Sequence, residues 1–289
     1  MNHLRQLCML SLCSLLTFTA FLSKAADRKA IKLEQSQRLR VYMEQLFSVE
    51  QHLNTPSPNK YIAQSMASVE AAFERIAHTL DLSKKESLRN KIAQLKLLQN
   101  DQKELNQIVF DLKQESIQAF EIVTAPPLSP NLALARAQYQ EYCSSCHGKT
   151  GQGNGILSER LPKKPSDFTS SDYSKINSPL RSLNMLLVGN KQSGMPVFEH
   201  QLSNQDLWSL SYYIQGLSQK PKSENAQLES TLIKNGLSYS LLSRLNDDEL
   251  WAWLNKNIKN PGISSFGKRT DLIASIRLSY SFSKKVPRR

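Results

Sequence analysis

The chain has 289 residues, a formal net charge of +12, 40% hydrophobic residues, 12 prolines and only 10 glycines. That length favours two or three small domains over one large core. Beyond the first 27 residues, no apolar run is long enough to span a bilayer.

The first 27 residues, "MNHLRQLCMLSLCSLLTFTAFLSKAAD", carry Arg5 ahead of an apolar stretch and small residues around Ala25. This is the pattern of a secretory signal peptide over residues 1–25, and it places the mature protein in the periplasm. Cys8 and Cys13 leave with the signal, so the expected mature chain keeps only Cys143 and Cys146. One close pair makes no disulfide framework.

Residues 26–123 read as a helical bundle. Leu39, Tyr42, Leu46, Val49 and Leu53 alternate three- and four-residue steps, as do Ile62, Met66, Val69, Phe73, Ile76 and Leu80. Leu88, Ile92 and Leu95, then Leu105, Val109 and Leu112, continue the pattern. The turn-like stretches Asn54–Asn59 and Asp81–Glu86 divide these runs, giving three or four antiparallel helices. Met43, Met66, His52 and His78 fall within this region and are read as core rather than metal ligands.

"TAPPLSP", residues 124–130, forbids helix and predicts an extended linker. The next unit, 131–218, carries the chemistry. Residues 143–147 spell Cys-Ser-Ser-Cys-His, the attachment signature of c-type haem. Two thiols spaced by two residues can be presented by one helical turn to the two vinyl groups of a porphyrin. The histidine that follows then lies under the iron. A zinc site would need more ligands than the mature chain offers, and a thioredoxin-type pair would need strand–helix alternation.

The first glycine of the chain is Gly148, and Gly151, Gly153 and Gly155 follow at once. Such a cluster is expected where the chain turns away from a flat ring at close quarters. A sixth iron ligand is offered by Met195, 48 residues after His147, in a Gly-Met-Pro-Val-Phe loop. Met185 and His200 are its rivals. Met185 belongs to an apolar helical stripe, and His200 lies past the constrained loop. A His/Met iron leaves no open site for substrate. No nucleophile–base or carboxylate constellation accompanies it, which predicts an electron carrier rather than an enzyme.

Through "YCSSCHGKTGQGNG", "KKPSDFT", "SGMPVF" and "LSNQDLWSLSYYI", residues 131–217 resemble a class I cytochrome c domain. The resemblance implies an all-α fold whose first and last helices cross beside one covalent haem c, with Tyr139 and Tyr142 meeting the Trp208–Tyr212 face. It also implies a proline carbonyl, from Pro162 or Pro165, receiving the N–H of His147. The wider order is helical region, "AP..P" linker, cytochrome unit and "ELWAWLN". It resembles the periplasmic part of bacterial oxidase-dependent high-affinity iron permeases. That likeness implies a detached soluble partner of an iron permease, since this chain lacks the permease's Arg-Glu-Gly-x-Glu motif and cannot itself transport iron.

Residues 228–289 read as a small helical region with a helix start at Asn246–Glu249 and a stop at Asn260–Gly262. Over residues 221–289 the chain holds 12 Lys+Arg against 6 Asp+Glu. This basic tail, with Lys284, Lys285, Arg288 and Arg289, suits a solvated surface, an acidic redox partner or anionic headgroups. Its likeness to helical-hairpin DNA-binding modules is outweighed by the export signal, so no nucleic acid is expected. The expected fold is thus all-α: a bundle, a class I cytochrome c domain and a basic helical tail. The expected function is periplasmic electron transfer. The alternatives are a haem-bearing subunit of a respiratory oxidoreductase, or a haem peroxidase or sensor.

Overall fold

A computed structural model describes residues 30–53, 59–97, 101–218, 226–258 and 269–282. The expected signal peptide, most of the Asn54–Asn59 break, the Asn260–Gly262 stop and the four basic residues from Lys284 onward lie outside these residues. The described residues are helical with no named strand, and none of their helices is long and apolar enough to cross a membrane.

Four helices make up the first region: α1 (30–53), α2 (Asn59–Glu74), α3 (Leu82–Leu97) and α4 (Gln102–Ala119). Every stripe residue named from periodicity is buried here except Leu39 and Leu80, which pack half-buried against the same core. Burial of such side chains contributes about 1.5–3 kcal/mol each. The expected break at Asp81–Glu86 is shorter in the structure. Helix resumes at Leu82 because the Asp81 carboxylate accepts the Lys84 N–H at 2.9 Å and caps the new first turn. His78 is exposed rather than core, while His52 is half-buried with Nδ1 at 2.7 Å from Ser65 Oγ.

The proline-rich segment leaves α4 through Glu121, a non-glycine residue at φ 52°. It does not hang free. Thr124 Oγ1 lies 2.7 Å from Ser240 Oγ, and the Gln205 side chain bonds the main chain of Leu128 and Ser129.

The cytochrome-like region follows as α5 (Leu132–Tyr142), α6 (Ser144–His147), α7 (Ser171–Ile176), α8 (Pro179–Val188) and α9 (Asn204–Gly216). Each of α5, α7, α8 and α9 starts on a Ser or Asn whose side chain accepts a main-chain N–H. The last region comprises α10 (Ala226–Lys234), α11 (Tyr239–Arg244), α12 (Asp247–Asn257, opened by an Asn246/Glu249 capping box) and α13 (Arg269–Phe282).

Helix α9 packs on α5 and α8, α13 packs on α9, and α11 packs on α8. One apolar core therefore runs through all three regions. Polar ties cross it as well. Tyr212 on α9 bonds Ser243 on α11 at 2.6 Å. Lys113 on α4 bonds Glu50 on α1 and Glu249 on α12, both at 2.8 Å. The first holds the C-terminal helices against the unit that carries the haem motif, and the second holds α1 and α4 against α12.

Candidate haem site

The haem motif is built by a helix that does not quite continue. α5 ends at Tyr142, and Cys143 sits at the joint, where its own N–H still donates to Tyr139 O at 2.9 Å. The single turn of α6 follows, closed by the N–H of His147 donating to Cys143 O. Both thiols and the imidazole are therefore set by one local turn, as their spacing predicts. No disulfide joins the two cysteines. Burial, with the neighbouring Cys146 second, pushes the Cys143 thiol up to about 12.

The glycine-rich loop folds back on this turn. Gly153 N–H donates to His147 O at 2.8 Å, and Gly155 N–H to Cys146 O at 3.1 Å. A Cβ on Gly155 would stand 2.3 Å from Ser145 O. A Cβ on Gly153 would likewise stand 2.5 Å from Pro165 O, so these two glycines are required where backbone packs on backbone, while Gly148 and Gly151 meet the side chains of Asn154 and Leu217.

The His147 ring is oriented by two contacts. Its Nδ1–H donates to Ser166 O at 3.2 Å, and its face stacks on Phe168 with centroids 4.3 Å apart and planes 17° from parallel. The carbonyl is that of Ser166 rather than of Pro162 or Pro165. Pro165 is one residue early, and its carbonyl instead sits over Gly153. Burial lowers the His147 pKa, and the Ser166 bond partly offsets this. The bond also leaves Nε2 as the nitrogen available to a metal.

Met195 is held on a short closed loop, and its main chain pairs with Asn190 in an antiparallel bridge. Cys143, Cys146, His147 and Met195 all line one cleft. Met185 lines it too, half-buried on α8, so it is not the core residue its stripe predicts. His200 is exposed and lies outside the lining. Tyr139 is buried, but its ring meets Phe168 and Tyr213 rather than the Trp208–Tyr212 face. Tyr212 turns instead toward Tyr239 of the C-terminal region.

The rest of the lining is largely apolar, with Leu161, Phe168, Ile176, Leu186, Phe198 and Ile214. Its charged members are Lys163, Lys164 and Arg181, with no Asp or Glu. Two thiols, an imidazole with one nitrogen committed and a thioether in an apolar cleft with a cationic fringe fit haem c. Among the described residues no cluster of His, Cys, Asp and Glu offers a competing metal site. Sequence reasoning missed Ser166, Phe168, Arg181 and Gln51. A lone arginine inside the apolar stretch of α8 was a readable signal. Gln51, on α1, gave none.

An all-α unit that brings a Cys-x-x-Cys-His turn and a methionine loop into one cleft is a c-type cytochrome domain, and haem binding and electron transfer follow from it. Residues 130–214, less than a third of the chain, match the family model described as cytochrome C oxidase, cbb3-type, subunit III. No curated protein and no solved structure matches the chain.

Proposed function

We propose that this protein is a periplasmic electron carrier, not an enzyme, that holds one covalent haem c and passes electrons to a membrane-bound redox partner. The observation that carries this reading is the convergence of Cys143, Cys146, His147 and Met195 on a single cleft. Bound there, haem c supplies a one-electron couple between ferrous and ferric iron. The Cys143 and Cys146 thiols hold the ring. His147 offers Nε2 to the iron while Ser166 O fixes the imidazole through Nδ1–H. Met195 offers a soft thioether that favours the ferrous state and raises the potential.

Haem-stained denaturing gels of the exported protein test the reading. The wild-type band should stain, and Cys143→Ala with Cys146→Ala should abolish the stain. Staining retained in the double variant overturns covalent attachment at these cysteines. Recovery of the protein only in the cytoplasm overturns the periplasmic assignment.

Two partner classes are open to it. The order of helical region, cytochrome and helical tail favours a separately encoded iron permease, with electrons taken from ferrous iron during uptake. The family match to an oxidase subunit favours a respiratory oxidoreductase. Deleting the gene separates them. Poor growth under iron limitation with intact respiration supports the permease partner, and defective respiration with normal ferrous uptake supports the oxidoreductase.

A further inference from the structure

The loop that carries Met195 leaves α8 at Gly189 and ends at Ser203, the cap of α9. Behind the methionine, Pro196 has no N–H with which to tie the chain. The first anchor is Phe198, which is buried and whose N–H donates to Leu186 O on α8 at 3.0 Å. The second is Glu199, and it reaches outside the cytochrome unit. Its Oε2 lies 2.6 Å from Nη1 of Arg40 on α1, a helix well before the matched residues 130–214.

Arg40 is presented from a firm base. Asn184 on α8 is only 7% exposed, and its Nδ2 donates to Arg40 O and to Glu44 Oε2, both at 3.1 Å. The contacts therefore close a circuit. Asn184 joins α8 to α1, Arg40 joins α1 to the methionine loop through Glu199, and Phe198 joins that loop back to α8. Met195 is carried inside this circuit.

A fully exposed ion pair would contribute little. Here the two side chains are 20% and 22% exposed. Among the described residues the Nη1 atom is shut off from water and makes no aligned hydrogen bond, so charge holds the pair. A guanidinium largely stripped of water loses more when its carboxylate leaves than a solvated one does. Swinging the loop off the cleft would take Glu199 away from Arg40. The pair therefore opposes the same motion that would withdraw the sulfur.

We propose that Arg40 is a positioning residue for the sixth iron ligand. By fixing Glu199 it holds the Met195 loop on the cleft, so that α1 governs how readily this ligand can be exchanged. This rests on the reading that the cleft holds haem with Met195 as sixth ligand.

Titration of the oxidised, haem-loaded full chain with free imidazole tests it, followed by loss of the sulfur-to-iron absorption band. Imidazole can bind only where the thioether has let go, so its apparent affinity reports the fraction of open loop. The exchange moves no electron: one iron–sulfur bond breaks and one iron–nitrogen bond forms. Arg40→Gln and Glu199→Gln should each tighten imidazole binding about fivefold, the upper end for a part-exposed ion pair. The two together should also give about fivefold, because they remove the same contact. Arg40→Lys, which keeps the charge, should stay nearer the wild type. Arg38→Gln should leave the affinity unchanged, since Arg38 pairs with Glu34 and bonds Arg75 O without touching the methionine loop.

Multiplicative effects in the double variant overturn the proposal, as does an equal shift in Arg38→Gln, which would mean that any loosening of α1 suffices. A lower melting temperature with unchanged imidazole affinity would make the pair merely structural and also overturns it. Glu199→Gln leaves α1 intact and decides the matter even if Arg40→Gln fails to load haem. A wild-type chain without haem, or without the band, sinks the underlying reading instead, a failure visible before any variant is made.

Discussion

Asn190 and Met195 exchange two main-chain hydrogen bonds, each 2.9 Å long, and so close a loop of four residues between them. Ser193 N–H donates to Asn190 Oδ1 at 3.1 Å within that loop, and beyond it Phe198 N–H donates to Leu186 O at 3.0 Å. The methionine is thus carried on a stretch tied at both ends. Its position is set by main-chain bonding rather than by the iron alone.

Gly189, just before this loop, has φ +63°, and a Cβ there would stand 2.8 Å from Met195 O and 3.0 Å from the Pro196 carbonyl. Those obstacles are backbone and cannot swing aside. Gly189→Ala should cost about 1–3 kcal/mol of stability and weaken the sulfur-to-iron absorption band of the oxidised protein. Gly216→Ala, at a helical position with open space around it, should be neutral or stabilise by up to about 1 kcal/mol. Denaturant titration of both variants checks the contrast, and equal effects would contradict it.

Met195→Ala should abolish that absorption band and lower the reduction potential, because the soft ligand that favours ferrous iron is lost. Met185→Ala, within the same cleft but on α8, should keep the band. The reverse pattern in the two spectra would reassign the sixth ligand to Met185.

Lys113 is 3% exposed and bonds both Glu50 and Glu249. Lys113→Met should cost about 3–5 kcal/mol, since two carboxylates are left buried without their cation. Thermal unfolding at neutral pH measures this, and a loss below about 1 kcal/mol would show that the triad is not sealed from water.

Burial raises the carboxyl pKa of Glu249, with Lys113 opposing the effect. A raised folded-state pKa means that the folded chain holds the proton more tightly. This group's contribution is therefore full below the unfolded carboxylate value and declines as pH rises through the folded one. Glu249→Gln, which can still accept the Asn246 N–H, should remove that slope. Melting temperature against pH should be flatter in the variant across the mildly acidic range, and an identical slope would reject the assignment.

Tyr139 is fully buried, and its Oη–H donates to Gly148 O at 2.8 Å, linking α5 to the glycine-rich loop. Tyr139→Phe should cost about 0.5–1.5 kcal/mol, because the carbonyl loses one of its two donors and keeps the Gly151 N–H at 3.1 Å. Haem staining should persist, because no ring-binding residue is touched. A denaturation midpoint equal to the wild type's would show that water replaces the hydroxyl.

What could be read from the residues in order was what depends on local spacing. Periodic apolar side chains mark a helix whatever it packs against, and Leu88, Ile92 and Leu95 are buried where their three- and four-residue steps put them. Cys143, Cys146 and His147 are presented by a single turn to one cleft, and that joint placement was legible in five letters. That Met195 shares this cleft was legible from its loop, which Gly194 and Pro196 confine. What the sequence could not show depends on which segments meet across long separations. Ser166 rather than a proline receives the His147 proton because the loop passes one residue further along beneath the ring. Tyr139 finds Tyr213, and Met185 turns to the cleft, because helix packing sets the rotation of α9 and α8. Gln51 reaches Arg181 across 130 positions. Periodicity says which face of a helix is apolar. Only the packed chain decides what that face, and the polar edge beside it, will touch.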